Sequence, residues 1–179
     1  MTPPHEASGG SAHAPDGGVH SRSVPVAILT VSDTRTPETD TSGRAILELL
    51  ASAGHSASPP VILPDDPERI AALISEWAAR ADLSAIVTSG GTGISGRDRT
   101  FEAISTLFER RLEGFGELFR HLSFEQVGSQ AMLSRAASGV VSNKIVFILP
   151  GSENAVRLAM TRLILPELRH IVSELERRD

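Results

Sequence analysis

Apolar residues recur along this chain in two rhythms, short unbroken runs and helical spacings, and the two alternate. Val24 to Val31 is a run rich in β-branched residues that stops at Ser32-Asp33, which predicts a buried strand feeding a polar loop. Thr41-Ser42-Gly43 then precedes Ala45, Ile46, Leu47, Leu49 and Leu50, a mostly apolar helix closed by Gly54, with Thr41 and Ser42 read as its capping residues. Val61-Ile62-Leu63, bounded by Pro59-Pro60 and Pro64, predicts a second short strand. From Pro67 onward Ile70, Leu73, Ile74 and Trp77 follow the i, i+3, i+4, i+7 template, and Asp65, Asp66 and Glu68 sit favourably at that helix's N-terminus. A third strand follows from Leu83 to Thr88.

Beyond it lies the loop from Ser89 to Arg99, then a helix predicted from Thr100 to about Phe108. Phe115, Leu118, Phe119 and Leu122 give a helix between Glu113 and Gln126. Ala136 to Val141 and Lys144 to Leu149 predict two strands of a small hairpin joined at Ser142-Asn143. After Pro150-Gly151-Ser152 the chain is helical to about Arg177, and Pro166 should break or kink that run, or start a new helix. Strands alternating with helices imply the α/β class: a single three-layer domain, a mostly parallel sheet with helices on both faces, and the hairpin near the C-terminal third. Residues 1–23, rich in Gly, Ser, Pro and Ala, are expected to be a disordered tail ahead of a folded domain over residues 24–179.

Composition narrows the function. A net charge of −5, with basic residues scattered among acids, argues against a nucleic-acid binder. No run approaches the ~18 apolar residues of a membrane span, and the start of the chain lacks the features of a secretory signal. With no cysteine, disulfides and thiolate metal sites are excluded, and a cytoplasmic location is expected. Three histidines, His5, His13 and His20, fall in the tail.

In an open parallel sheet a ligand sits beyond the carboxyl ends of the strands. The loop after the third strand, Ser89-Gly90-Gly91-Thr92-Gly93-Ile94-Ser95-Gly96, carries glycines that allow close backbone approach and positive φ, and its amides with the following helix N-terminus favour an anion such as phosphate. Residues 91–96 also spell G-x-G-x-x-G, but a dinucleotide fingerprint belongs on the first strand and is followed by helix-packing residues, not by Arg97-Asp98-Arg99. Asp98 either closes a turn or holds Mg²⁺ between itself and substrate phosphates, and Asp33 invites the same two readings. Ser134-Arg135 and Pro150-Gly151-Ser152 bring hydroxyl, guanidinium and backbone donors near strand ends, although Ser152-Glu153 equally suits a helix start.

Six segments in order, Val-Ser-Asp (31–33), Asp-Thr-Ser-Gly (40–43), Thr-Ser-Gly-Gly-Thr-Gly-Ile-Ser-Gly-Arg-Asp (88–98), Glu-Gly-Phe-Gly-Glu-Leu-Phe-Arg (113–120), Ser-Arg-Ala (134–136) and Leu-Pro-Gly-Ser (149–152), resemble the MoaB/Mog family of molybdenum-cofactor biosynthesis proteins. The likeness runs from about Val24 to the C-terminus and is greatest to the MoaB branch. The resemblance implies a molybdopterin-binding domain that forms a trimer or a dimer of trimers, with relatives that transfer AMP from Mg-ATP to molybdopterin and release pyrophosphate. It places Gly90 to Gly93 at the phosphate, Asp98 on Mg²⁺, and Asp33, Ser134 and Ser152 around pterin and nucleotide, with Glu113 on the rim. The other function it implies is a molybdopterin-binding or scaffolding oligomer without turnover.

Overall fold

A computed structural model describes residues 22–96 and 98–177, so the expected tail lies outside the described residues apart from Arg22 and Ser23. In chain order the elements are β1 (Pro25–Val31), α1 (Thr41–Ser52), β2 (Ser56–Ala57), β3 (Val61–Leu63), α2 (Pro67–Ala79), β4 (Ala85–Ser89), α3 (Thr100–Ser105), β5 (Arg110–Arg111), α4 (Glu113–Val127), β6 (Ala137–Val141), β7 (Lys144–Leu149), α5 (Glu153–Ala159) and α6 (Leu165–Glu176). They build one sheet in the order β2-β1-β4-β7-β6-β5, with β3 also on β1. The pairings of β1 with β2, β3 and β4 and of β4 with β7 are parallel; β6 and β5 run antiparallel.

Alternation along the central strands divides the core in two. Val26 and Ile28 join Val87, Ile145 and Phe147 under α1, α4, α5 and α6, while Ala27, Leu29 and Val31 join Ile86, Val146 and Ile148 under α2 and α3. Both faces of β1, β4 and β7 are therefore covered, which is why those strands read as continuous apolar runs. The predicted hairpin turns at Ser142 and Asn143, both with positive φ (44° and 63°), the mark of a type I′ turn that matches strand twist.

Several expectations are corrected. The capping residue of α1 is Asp40, whose buried carboxylate accepts from Gly43 N and from Thr30 Oγ1; Thr41 and Ser42 are already helical. The helix predicted to run to Phe108 ends at Ser105, because the chain turns to pair Glu109 N with Val140 O and enters β5. The two-residue strands β2 and β5 carry no period from which a sequence could show them. Of the outcomes left open for Pro166 the chain takes the last: α6 starts at Leu165 with Pro166 in its first turn, after a π-helical turn over Met160–Ile164 that accommodates a ring unable to donate to residue i−4.

Candidate functional site

Register brings three strand ends side by side, since Thr30 lies opposite Ser89 and Ser89 opposite Leu149. The helices after β1 and β7 cover one face and the helix after β4 the other, so the loops separate here and leave a crevice. The loops meet closely. Gly90 N donates to Leu149 O at 3.1 Å, and a Cβ on Gly151 would lie 3.2 Å from Gly90 Cα. The crevice is a cleft of about 660 Å³ whose lining includes Gly90, Gly91, Thr92, Gly93, Asp98, Ser134, Pro150, Gly151 and Ser152.

The glycines serve different ends. Gly90 and Gly91 have positive φ (97° and 62°), and a Cβ on Gly90 would lie 2.2 Å from the Val31 carbonyl oxygen. Gly93 is not in that region, but a Cβ there would strike the Asp98 carboxylate at 2.6 Å, while Gly96 faces open space. Ser89 lies buried beneath the loop, its hydroxyl without a partner among the described residues.

Arg135 stands outside the cleft and shapes it from behind. Its guanidinium donates to the carbonyls of Thr92 (2.9 Å), Gly93 (2.6 Å) and Asp98 (2.9 Å) and is paired with Glu102. In a trans peptide the N–H points opposite to the C=O, so these bonds turn the amides of Gly93, Ile94 and Arg99 away from Arg135. The Arg99 amide reaches Asp65 at 3.3 Å; those of Gly91, Thr92, Gly93 and Ile94 donate to no acceptor among the described residues. Unpaired amides on one concave loop form an anion cradle.

Two side chains that tie the loops around the cleft together were missed by sequence reasoning. Asp65, seen only as a favourable charge for α2, accepts from Arg99 N and Thr100 Oγ1 and so ties the loop after β3 to the glycine loop. Burial first, then the charges of Asp98 and Asp33, push its carboxyl above the usual carboxylate range, although its hydrogen bonds oppose them. Arg35 lines the cleft and donates to Asp40 (3.3 Å), Ser42 Oγ (2.7 Å) and Gly151 O (2.9 Å), clamping the loops after β1 and β7 together. Each follows the carboxyl end of a parallel strand, which was the available signal.

The other predicted residues are placed as follows. Asp98 lines the cleft and accepts from Ser95 N and Oγ. Asp33 lies beside the cleft, accepting from Asp65 N at 3.2 Å. Ser152 lines it while capping α5 through Ala155 N, and Ser134 lies between this cleft and a second hollow. Glu113 is not brought to the cleft: it borders the second hollow with Arg135. Arg97 is outside the described residues.

A mostly parallel open sheet with a glycine-rich loop at its switch point defines the class, an α/β domain with a cleft at the carboxyl ends of its strands. The chain belongs to the MoaB/Mog family of molybdenum-cofactor biosynthesis proteins, in its MoaB branch: the family profile described as "Probable molybdopterin binding domain" matches residues 27–170. A Bacillus anthracis relative, "Molybdenum cofactor biosynthesis protein B", is 52% identical over 151 residues, 84% of this chain and 89% of its own length. Its Staphylococcus carnosus counterpart is 48% identical over 157 residues, 86% and 92% of the two chains. A crystal structure of a "Molybdenum cofactor biosynthesis protein B" superposes with a TM-score of 0.85 at 49% identity, covering 88% of this chain and 99% of that one. The "tungsten cofactor synthesizing protein MoaB from Pyrococcus furiosus" gives a TM-score of 0.77 at 36% identity, covering 87% and 99%.

Proposed function

We propose that the chain binds molybdopterin and adenylylates it with Mg-ATP, releasing pyrophosphate. The observation that carries this reading is that Gly91, Thr92 and Gly93, whose amides have no acceptor among the described residues, line a cleft together with Arg35 and Asp98. A phosphate oxygen of the pterin substrate attacks the α-phosphorus of ATP; that P–O bond forms as the bond to the leaving pyrophosphate breaks and takes its electron pair. The protein supplies no nucleophile. Its amides and Arg35 hold the phosphates in line, so catalysis is positioning and charge stabilisation.

The residues present fit Mg²⁺. Burial and the nearby charges of Asp98 and Asp33 raise the pKa of Asp65, so a divalent cation beside these carboxylates would be favoured. Among the described residues no three acids or histidines lie close enough to hold a metal by themselves, so substrate phosphates and water would have to complete its coordination. Asp98 and Asp65 would hold it, and when bound it neutralises charge on the phosphates.

The homo-oligomer, a trimer or dimer of trimers, belongs to the same proposal. It is supported by exposed Leu118, Phe124, Val127, Met132 and Leu133 along α4 and the turn after it. That face also favours the second reading, a molybdopterin-binding scaffold without turnover. Incubating the protein with molybdopterin and Mg-ATP and assaying pyrophosphate separates the two. Asp98→Asn should abolish release while pterin binding persists; equal activity in variant and parent removes Asp98 from the mechanism, and binding without release in the parent assigns the scaffold.

A further inference from the structure

A second hollow, of about 380 Å³, lies across Arg135 from the cleft. β5 pairs with β6 only at Gly139 and Val140, and Leu112 N reaches Ser138 O at 2.9 Å. Past that point the edge of β6 is no longer paired to a strand, and α4 and Arg135 wall off a depression bordered by Arg111, Arg120, Glu113, Ser134 and Ser138.

Its chemistry is that of an anion site. Ser138 is 2% exposed, and its hydroxyl has no hydrogen-bond partner among the described residues. On β6 it points opposite to Gly139, whose face meets the Phe108 ring, and so toward α4, Gly116 and Arg120. A buried hydroxyl left without a partner is costly unless something occupies the space before it. The cation on this side is lightly used: Arg120 donates to Ala136 O at 3.5 Å, whereas Arg111, which donates to Ser105 O at 3.4 Å and lies 5.9 Å from the Phe108 ring centre, belongs to the Gly139 face. α4 also begins here without a side-chain cap, and the space above Gly114 is open, so the positive end of a 15-residue helix faces the same depression. Glu113 is the one acid on the border, whereas Glu102 already balances Arg135.

We propose that this hollow binds a compact oxyanion of the phosphate or pyrophosphate class on Arg120, the Ser138 hydroxyl and the N-terminal amides of α4, at a site separate from the glycine-loop cleft. The proposal does not depend on the adenylylation reading, because neither Arg120 nor Ser138 lines that cleft. A tetrahedral oxyanion supplies several acceptors at once, matching a guanidinium group, a hydroxyl and helix N-terminal amides.

The test is calorimetric titration of the full chain with orthophosphate and, separately, pyrophosphate, in the absence of nucleotide. Ser138→Ala should weaken one class of anion site roughly tenfold, the ratio for one hydrogen bond to a charged ligand. Its melting temperature without anion should hold or rise, since no existing bond is lost. Arg120→Gln should weaken the same site. Tighter binding of pyrophosphate assigns the hollow to a diphosphate, and equal binding assigns it to a single phosphate group. Unchanged affinity and stoichiometry in Ser138→Ala overturns the site, even if Arg120→Gln fails to fold. So does a fall in the melting temperature of anion-free Ser138→Ala, which would mean that the hydroxyl is already bonded.

Discussion

Gly90→Ala is the sharpest probe of how the anion cradle is built. The native φ of 97° is one that L side chains rarely adopt, and leaving the right-handed basin costs about 1–2 kcal/mol. The new Cβ would lie 2.2 Å from the carbonyl oxygen of Val31. That oxygen cannot move aside, because β1 is held between β3 and β4 in the middle of the sheet. Overpacking against such a wall adds roughly 1–3 kcal/mol, for a total near 2–5 kcal/mol. With a urea slope of about 1–3 kcal/mol per molar, the unfolding midpoint should fall by about 1–2 M. Gly96→Ala is the matched control. A Cβ there meets nothing within 4 Å and φ is ordinary, so its effect should stay within about 0.5 kcal/mol. Urea unfolding followed by circular dichroism reads both variants, and a Gly90→Ala midpoint equal to that of Gly96→Ala would refute the claim that the loop is pinned against β1.

Other perturbations test other parts of the site. Arg135→Lys replaces a fork that holds three carbonyls with a single ammonium group, so the fold should persist while affinity for an ATP analogue drops about tenfold, measured by calorimetry; unchanged affinity would mean that the loop amides need no such anchor. Asp65→Asn keeps an acceptor for Arg99 N and Thr100 Oγ1 but removes the charge. Because burial raises the pKa of this acid, its contribution to stability is greatest below the unfolded value and is lost as pH rises through the folded one. At pH 7 without Mg²⁺ the variant should therefore melt higher than the parent, and added Mg²⁺ should shift its melting point less. His55 behaves oppositely. It is buried, its Nδ1 accepts from Val24 N at 3.1 Å, and burial, followed by the charge of Arg169, pushes its pKa below the ordinary value. The unfolded chain then takes up the proton first, so stability should decline as pH falls below about 6.5, and His55→Gln should flatten that decline in urea midpoints measured from pH 8 to pH 5.

Much of the molecule was legible in one dimension because the signals were local. Unbroken apolar runs marked β1, β4 and β7, since strands covered on both faces need no polar alternation. Helical spacing located α2 and α4, and Ser142-Asn143 marked the hairpin turn. The crowding of glycines between Ser89 and Gly96 exposed the anion loop, because only backbone freedom and close approach call for so many.

What the sequence could not decide were relations between distant residues. Asp40, not Thr41 or Ser42, caps α1 because Thr30 and Arg35 converge on its carboxylate. Asp65 reaches the glycine loop because β3 pairs with β1 and delivers the following loop to Arg99 and Thr100, 34 and 35 residues away. Arg135 holds the glycine-loop carbonyls from a position 43 residues beyond Thr92, and Glu113 ends up at a different hollow. Periodicity reports which face of an element is buried; which side chain meets which carbonyl is set only when strand order and register bring the ends of the loops together.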